Sequence, residues 1–164
     1  MSEREGVVDV AKLDRDFADE VMKRRGGEEL RKCFACGTCT AGCPIREVDN
    51  RYNPRRIIRM VLLGMKDEVL TSDFVYLCAN CYTCQERCPQ GVRISEIMRV
   101  LKNMAVEQGY VHPSFKMQIE ALKKYGRLYE IEEFDNKRRE RAGLPRLDTD
   151  LKPPRQILSE GDEG

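Results

Sequence analysis

The sequence predicts an all-α fold in which helices surround two cysteine-rich loops. Three observations carry this. Apolar residues recur at spacings of three and four along several segments, and no stretch alternates with period two for long enough to make a strand. The eight cysteines fall in two short stretches that interrupt the helical pattern.

The elements follow in order. Leu13, Phe17, Val21 and Met22 share a face, predicting a helix within about 11–25 that ends at Gly26 and Gly27, before a short turn from Glu28 to Lys32. Asn53 is a cap followed by Pro54 at the first helical position. Ile57, Ile58, Val61, Leu62 and Met65 then form one face, which Gly64 weakens. Thr71, Ser72 and Asp73 offer caps for a short helix from Phe74 to Cys78. Ile94, Ile97, Met98, Leu101, Met104 and Ala105 make a further stripe closed by Gly109. Pro113 opens a helix through about Tyr125, with Phe115, Ile119 and Leu122 on one face, and the charged stretch from Glu130 to Ala142 is one more. The expected organisation is a helical segment at 1–27, a core at 28–110 and helices at 111–143. A tail at 144–164 is extended and either docks on a partner or is disordered.

Composition narrows the function. The 164 residues carry 29 Lys and Arg against 28 Asp and Glu, a net charge of +1, which removes the field that nucleic acid or an anionic membrane would require. The longest apolar run, Phe74 to Ala79, is far short of the roughly 20 residues of a membrane span, and the amino terminus has no signal-peptide pattern. A soluble, cytoplasmic chain is expected, and in a reducing compartment clustered thiols indicate metal or redox chemistry. A mean hydropathy of −0.58 promises a thin apolar core that something besides burial helps to hold.

The thiols form one motif written twice. Cys33, Cys36, Cys39, Cys43 and Pro44 read C-x2-C-x2-C-x3-C-P, as do Cys78, Cys81, Cys84, Cys88 and Pro89, each residue 45 positions after its counterpart. No cysteine is left over. Three thiolates two residues apart on a tight loop reach three corners of an iron–sulfur cubane, and backbone N–H groups turn inward to the sulfurs. The small residues Ala35, Gly37, Thr38, Ala41 and Gly42 permit the close approach. In two-cluster ferredoxins the fourth cysteine, set before a proline that commonly opens a helix, ligates the other cluster. Two 4Fe–4S clusters are therefore expected, one on Cys33, Cys36, Cys39 and Cys88, the other on Cys78, Cys81, Cys84 and Cys43. Structural zinc, which prefers paired C-x2-C knuckles over a longer spacer, is the weaker alternative.

The helical two-cluster arrangement resembles the α-helical ferredoxins, including the iron–sulfur subunits of succinate dehydrogenases and fumarate reductases. The match narrows with the linker Arg51-Tyr52-Asn53-Pro54-Arg55-Arg56-Ile57-Ile58-Arg59-Met60-Val61-Leu62-Leu63-Gly64 and with the run from Leu77 through Cys78, Cys81, Cys84 and Cys88 to Val92. Together with Cys33 to Pro44, these resemble the small iron–sulfur subunits, known as C components, of the CoB–CoM heterodisulfide reductases of methanogenic archaea, over about residues 13–130. The resemblance implies an oxidoreductase subunit that transfers electrons without binding substrate. Its two clusters would stand between the flavin-bearing iron–sulfur A component and the catalytic B component in methanogenesis, fed more distantly by a hydrogenase or formate dehydrogenase. An iron–sulfur subunit of another dehydrogenase, of the succinate dehydrogenase or fumarate reductase type, is the alternative.

Other features read more plainly. No catalytic residue is expected, since neither nucleotide-binding glycine loops nor nucleophile–base pairs occur. His112 before Pro113 is expected at a surface or cap, and Met60, Met65, Met98, Met104 and Met117 are expected in packing. Arg55, Arg56 and Arg59 form a solvated helix face or a docking patch. The first loop is small and glycine-bearing, whereas the second carries Asn80, Tyr82, Gln85, Glu86 and Arg87, so the two clusters are expected to differ in potential.

Overall fold

A computed structural model describes residues 8–148. These residues are helical, with no strand among them. Two compact units divide the chain, Met1–Tyr110 and Val111–Gly164.

The first unit begins with a 3₁₀ turn, Val10–Lys12, and α1, Phe17–Met22. This is shorter than the continuous helix expected over about 11–25. The break lies at Asp14, whose N–H leaves the helical pattern to donate to the Gly64 carbonyl at 2.8 Å. α1 still buries Phe17, Ala18 and Val21 in the same core as the later helices. A 3₁₀ turn at Leu30–Lys32 then delivers the chain to Cys33. Two short helices accompany the first cysteine loop, α2, Thr38–Ala41, and α3, Pro44–Val48.

α4, Pro54–Leu62, has the cap its sequence promised: the Asn53 side chain accepts from the Arg56 N–H at 3.0 Å, with Pro54 at the first position. Gly64, at φ +79°, turns the chain into α5, Lys66–Leu70, a helix that the sequence pattern did not reveal. Its five residues are too few to show a period, yet Val69 and Leu70 are fully buried. The segment expected as a helix from Phe74 to Cys78 is a 3₁₀ turn, Asp73–Leu77. The second cysteine loop carries α6, Thr83–Glu86. α7, Ile94–Glu107, is the central helix, burying Ile94, Ile97, Met98, Val100, Leu101, Met104 and Ala105. Each large aliphatic side chain among them contributes about 2 kcal/mol of transfer free energy. Cys39, Cys43 and Cys84 belong to this core, so the thiols complete the apolar packing that composition left thin.

The second unit holds α8, Pro113–Tyr125, and α9, Glu133–Arg141. His112 caps α8, its Nδ1 accepting from the Ser114 N–H at 3.3 Å. α8 buries none of its residues, and Met117, expected in packing, is 69% exposed. The Glu132 N–H donates to Asp135 at 3.1 Å in a capping box that starts α9. Asn136 fastens Leu147 to α9 at both backbone atoms, through Nδ2 to the carbonyl at 3.1 Å and Oδ1 from the N–H at 2.9 Å. Leu147, within the expected tail, is thus pinned to α9, and residues 149–164 fall outside the described residues.

Candidate iron–sulfur site

The repeat of 45 positions in the sequence is also a repeat of backbone shape. Ala35 and Asn80 have φ of 60° and 51°, and Gly37 and Tyr82 have φ of 88° and 62°. Each loop therefore makes two left-handed turns between its first and third cysteines. Asn and Gly adopt this conformation readily, but Ala35 and Tyr82 carry strain of about 1–3 kcal/mol each, which points to a constrained site. Behind these turns stand the matching short helices α2 and α6, which pack on each other.

The helices set the burial of the thiols. Cys39 on α2 and Cys84 on α6 are buried, Cys36 and Cys81 are exposed, and all eight cysteines are free. Thr38 and Thr83 place hydroxyls 3.3 Å from Cys36 Sγ and 3.5 Å from Cys81 Sγ. These hydrogen bonds, with the N–H groups beside them, pull both thiols below the ordinary cysteine value, toward the thiolate a metal needs. Burial pushes Cys39 and Cys84 the other way. A buried thiolate requires a nearby positive charge, which iron supplies when bound.

Pro44 follows Cys43 and opens α3, as its motif suggested. Pro89 does not repeat this: the chain after Cys88 turns through Gly91, at φ +65°, and reaches α7 only at Ile94. The fourth cysteines consequently leave their loops differently. Cys33, Cys36, Cys39 and Cys88 line one cavity that encloses about 310 Å³ including its open mouth, along with Phe34, Arg55 and Ile94. Thiols of both motifs thus face a single space. On the other side, the buried Tyr52 lies within electrostatic range of Cys78, Cys43 and Cys84; burial first, and then those sulfurs, push its ionisation above the ordinary tyrosine range.

The donor set fits a cluster better than a single ion. Four sulfurs about 2.3 Å from one zinc would stand about 3.8 Å apart. Among the described residues no three Cys, His, Asp or Glu side chains converge on a single-ion site. Residues that sequence reasoning missed are Tyr52, Ser95 and the cavity role of Arg55. Tyr52 and Ser95 lie outside the cysteine motifs and reach the loops only through folding. Arg55, expected on a solvated face, is exposed yet lines the cavity beside Gly37. The left-handed positions were accessible: aligning the two copies sets Gly37 opposite Tyr82 and Ala35 opposite Asn80.

Residues 29–92 match the family model of the 4Fe–4S dicluster domain. The chain is 35% identical over 116 residues to the C component of the H(2):CoB-CoM heterodisulfide,ferredoxin reductase of Methanothermobacter thermautotrophicus, an alignment covering 71% of this chain and 62% of that one. It is 33% identical to the iron–sulfur C component of the CoB–CoM heterodisulfide reductase of Methanopyrus kandleri, over 86% of this chain and 77% of that one. It is 35% identical to the C component of the ferredoxin:CoB-CoM heterodisulfide reductase of Methanosarcina mazei, over 78% and 80%. The chain thus spans somewhat less than two thirds of the Methanothermobacter relative and most of the other two. Two 4Fe–4S clusters are the cofactors of the matched domain. Among the described residues no helix is long and apolar enough to cross a membrane.

Proposed function

The chain belongs to the family of iron–sulfur C components of CoB–CoM heterodisulfide reductases, and from that membership we propose that it relays electrons within such a complex. It would stand between the flavin-bearing A component and the catalytic, heterodisulfide-reducing B component. The observation that carries this reading is the cavity shared by Cys33, Cys36, Cys39 and Cys88, which joins thiols from both copies of the motif. We assign these four to one cluster and Cys78, Cys81, Cys84 and Cys43 to the other, supported by the position of Tyr52 beside Cys78, Cys43 and Cys84.

When bound, each cluster supplies one-electron redox chemistry. The protein's own residues do the rest. The left-handed turns at positions 35, 37, 80 and 82 shape each loop around its first three thiols. Cys39 and Cys84, buried on the helices α2 and α6 that pack together, bring the two sites close in a region that excludes water. Thr38 and Thr83 favour the thiolate form of their neighbouring cysteines. Crossed ligation ties the two loops rigidly, so the spacing of the centres does not change between turnovers. Electrons would enter and leave through the partner components, with a hydrogenase or formate dehydrogenase as the more distant source.

Anoxic purification tests the reading. About eight irons and eight sulfides per chain are expected, with two one-electron centres in a redox titration and the A and B components co-eluting from the native source. Zinc without acid-labile sulfide would overturn it, and co-elution with a succinate- or fumarate-converting flavoprotein would assign the relay to another enzyme.

A further inference from the structure

A ligand sulfur that accepts hydrogen bonds accommodates added negative charge more easily, so donors aimed at the ligands raise a cluster's potential. Several donors occur at both loops. Thr38 reaches Cys36 and Thr83 reaches Cys81 at nearly equal distances, 3.3 and 3.5 Å. Each loop also has a cation: Arg55 lines the cavity of the first and acts on Cys36, and Lys102 Nζ donates to the Cys78 carbonyl of the second at 3.2 Å. These features largely offset one another.

One buried hydroxyl breaks the symmetry. Ser95 on α7 is 3% exposed, and its Oγ lies 3.5 Å from Cys84 Sγ. Once Cys84 is a metal-bound thiolate it has no proton to give, so Ser95 must be the donor. At the first loop the corresponding place beside Cys39 belongs to Thr40. Its hydroxyl proton goes to Asn53 Oδ1 at 2.9 Å and its oxygen already accepts the Arg55 N–H at 3.1 Å, leaving no proton for Cys39. The added donor at that cavity is a backbone one, Val92 N–H to Cys88 Sγ at 3.3 Å.

We propose that Ser95 is a positioning residue that raises the potential of the cluster held by the second loop. Reduction there adds one electron and no proton; the Ser95 O–H dipole, already oriented in a buried site, offsets the new charge without moving. The inference rests on the reading that the second loop holds a 4Fe–4S cluster. Because Cys84 belongs to that loop, it holds whichever loop supplies the fourth ligand.

The test is an EPR-monitored redox titration of the anoxically purified chain with dithionite, with iron content measured in every sample. Cys81→Ser identifies which signal belongs to the second loop. Ser95→Ala is expected to lower that centre's midpoint. The other midpoint should stay in place, and Ser95→Thr, which retains the hydroxyl, should keep most of the native value. With the protein exchanged into D2O, deuteron couplings at the second-loop signal should be present in the native chain and weaker in Ser95→Ala. Unmoved midpoints at full iron content, equal shifts of both centres, or unchanged deuteron couplings would overturn the proposal. A wild-type chain carrying no iron would defeat the underlying reading of function as well.

Discussion

Gly64→Ala is expected to destabilise the first unit severely, while Gly109→Ala does so only mildly. The two glycines have nearly the same backbone, φ +79° and +82°, so the left-handed penalty for adding a Cβ, about 1–2 kcal/mol, applies to both. Their surroundings differ. At Gly109 an added Cβ meets nothing within 4 Å, whereas at Gly64 it would lie 2.2 Å from the Asp14 carbonyl oxygen and 2.8 Å from the carbonyl carbon. These are backbone atoms that no rotamer change can move. Relief requires Asp14 to withdraw, which loses its 2.8 Å N–H bond to the Gly64 carbonyl, about 1 kcal/mol, and loosens Phe17 just beyond it. With about 1–3 kcal/mol for the overpacking itself, Gly64→Ala should cost about 3–6 kcal/mol and Gly109→Ala about 1–2. Anoxic urea unfolding, followed by far-ultraviolet circular dichroism and by the visible absorption of the clusters, reads the difference. With a slope near 2 kcal/mol per molar, the two variants should separate by at least about 1 M in midpoint. Equal midpoints would show that the approach of Asp14 to Gly64 does not hold the first unit together.

Three further expectations concern the ligands, the core and the charges. Cys43→Ser should perturb the spectrum of the cluster on the second loop and Cys88→Ser that of the cluster on the first; if each substitution perturbs its own loop's cluster, the crossed assignment fails. Leu101→Ala, at a fully buried site on α7, should cost about 3 kcal/mol in the same urea assay, and a loss under about 1 kcal/mol would place it outside the tightly packed core. Lys66 Nζ stands 2.6 Å from Glu20 and 3.1 Å from Asp14, and the hydrogen bond to Glu20 is the main cause that raises its pKa. A raised pKa stabilises the fold fully below the value of the unfolded chain, and that contribution disappears as pH climbs through the folded value. The urea midpoint gap between the native chain and Lys66→Met should therefore be steady from neutral pH and narrow above about pH 10.5; a gap that widens there would contradict the assignment.

Much of the candidate site was legible in one dimension because its pattern is local. Three thiols two residues apart and a fourth before proline mark a cluster loop by spacing alone, and the repeat at 45 divides the eight cysteines four and four. The long helices were legible for a similar reason: α4 and α7 are long enough to show a period, and Asn53 and Pro54 mark a start by bonds made within four residues. α5 was not, since five residues carry no period and its two buried side chains are recognised only by what covers them. The helix expected over about 11–25 came out shorter because a distant partner, the Gly64 carbonyl, drew the Asp14 N–H away.

The number, spacing and grouping of the cysteines are set by the sequence alone, because they depend on side chains only a few residues apart. Only the tertiary structure decided what surrounds each thiol. Cys88 faces the first loop's cavity because the chain turns at Gly91 where its counterpart runs into α3, although the two motifs are alike in their cysteines and proline. Ser95 meets Cys84 because α7 folds back across the second loop. Thr40 cannot serve Cys39 because its proton is committed to Asn53, 13 residues away. Hydrogen bonds and burial are relations between segments far apart in the chain, so the inequality of two look-alike sites is a property of the folded protein.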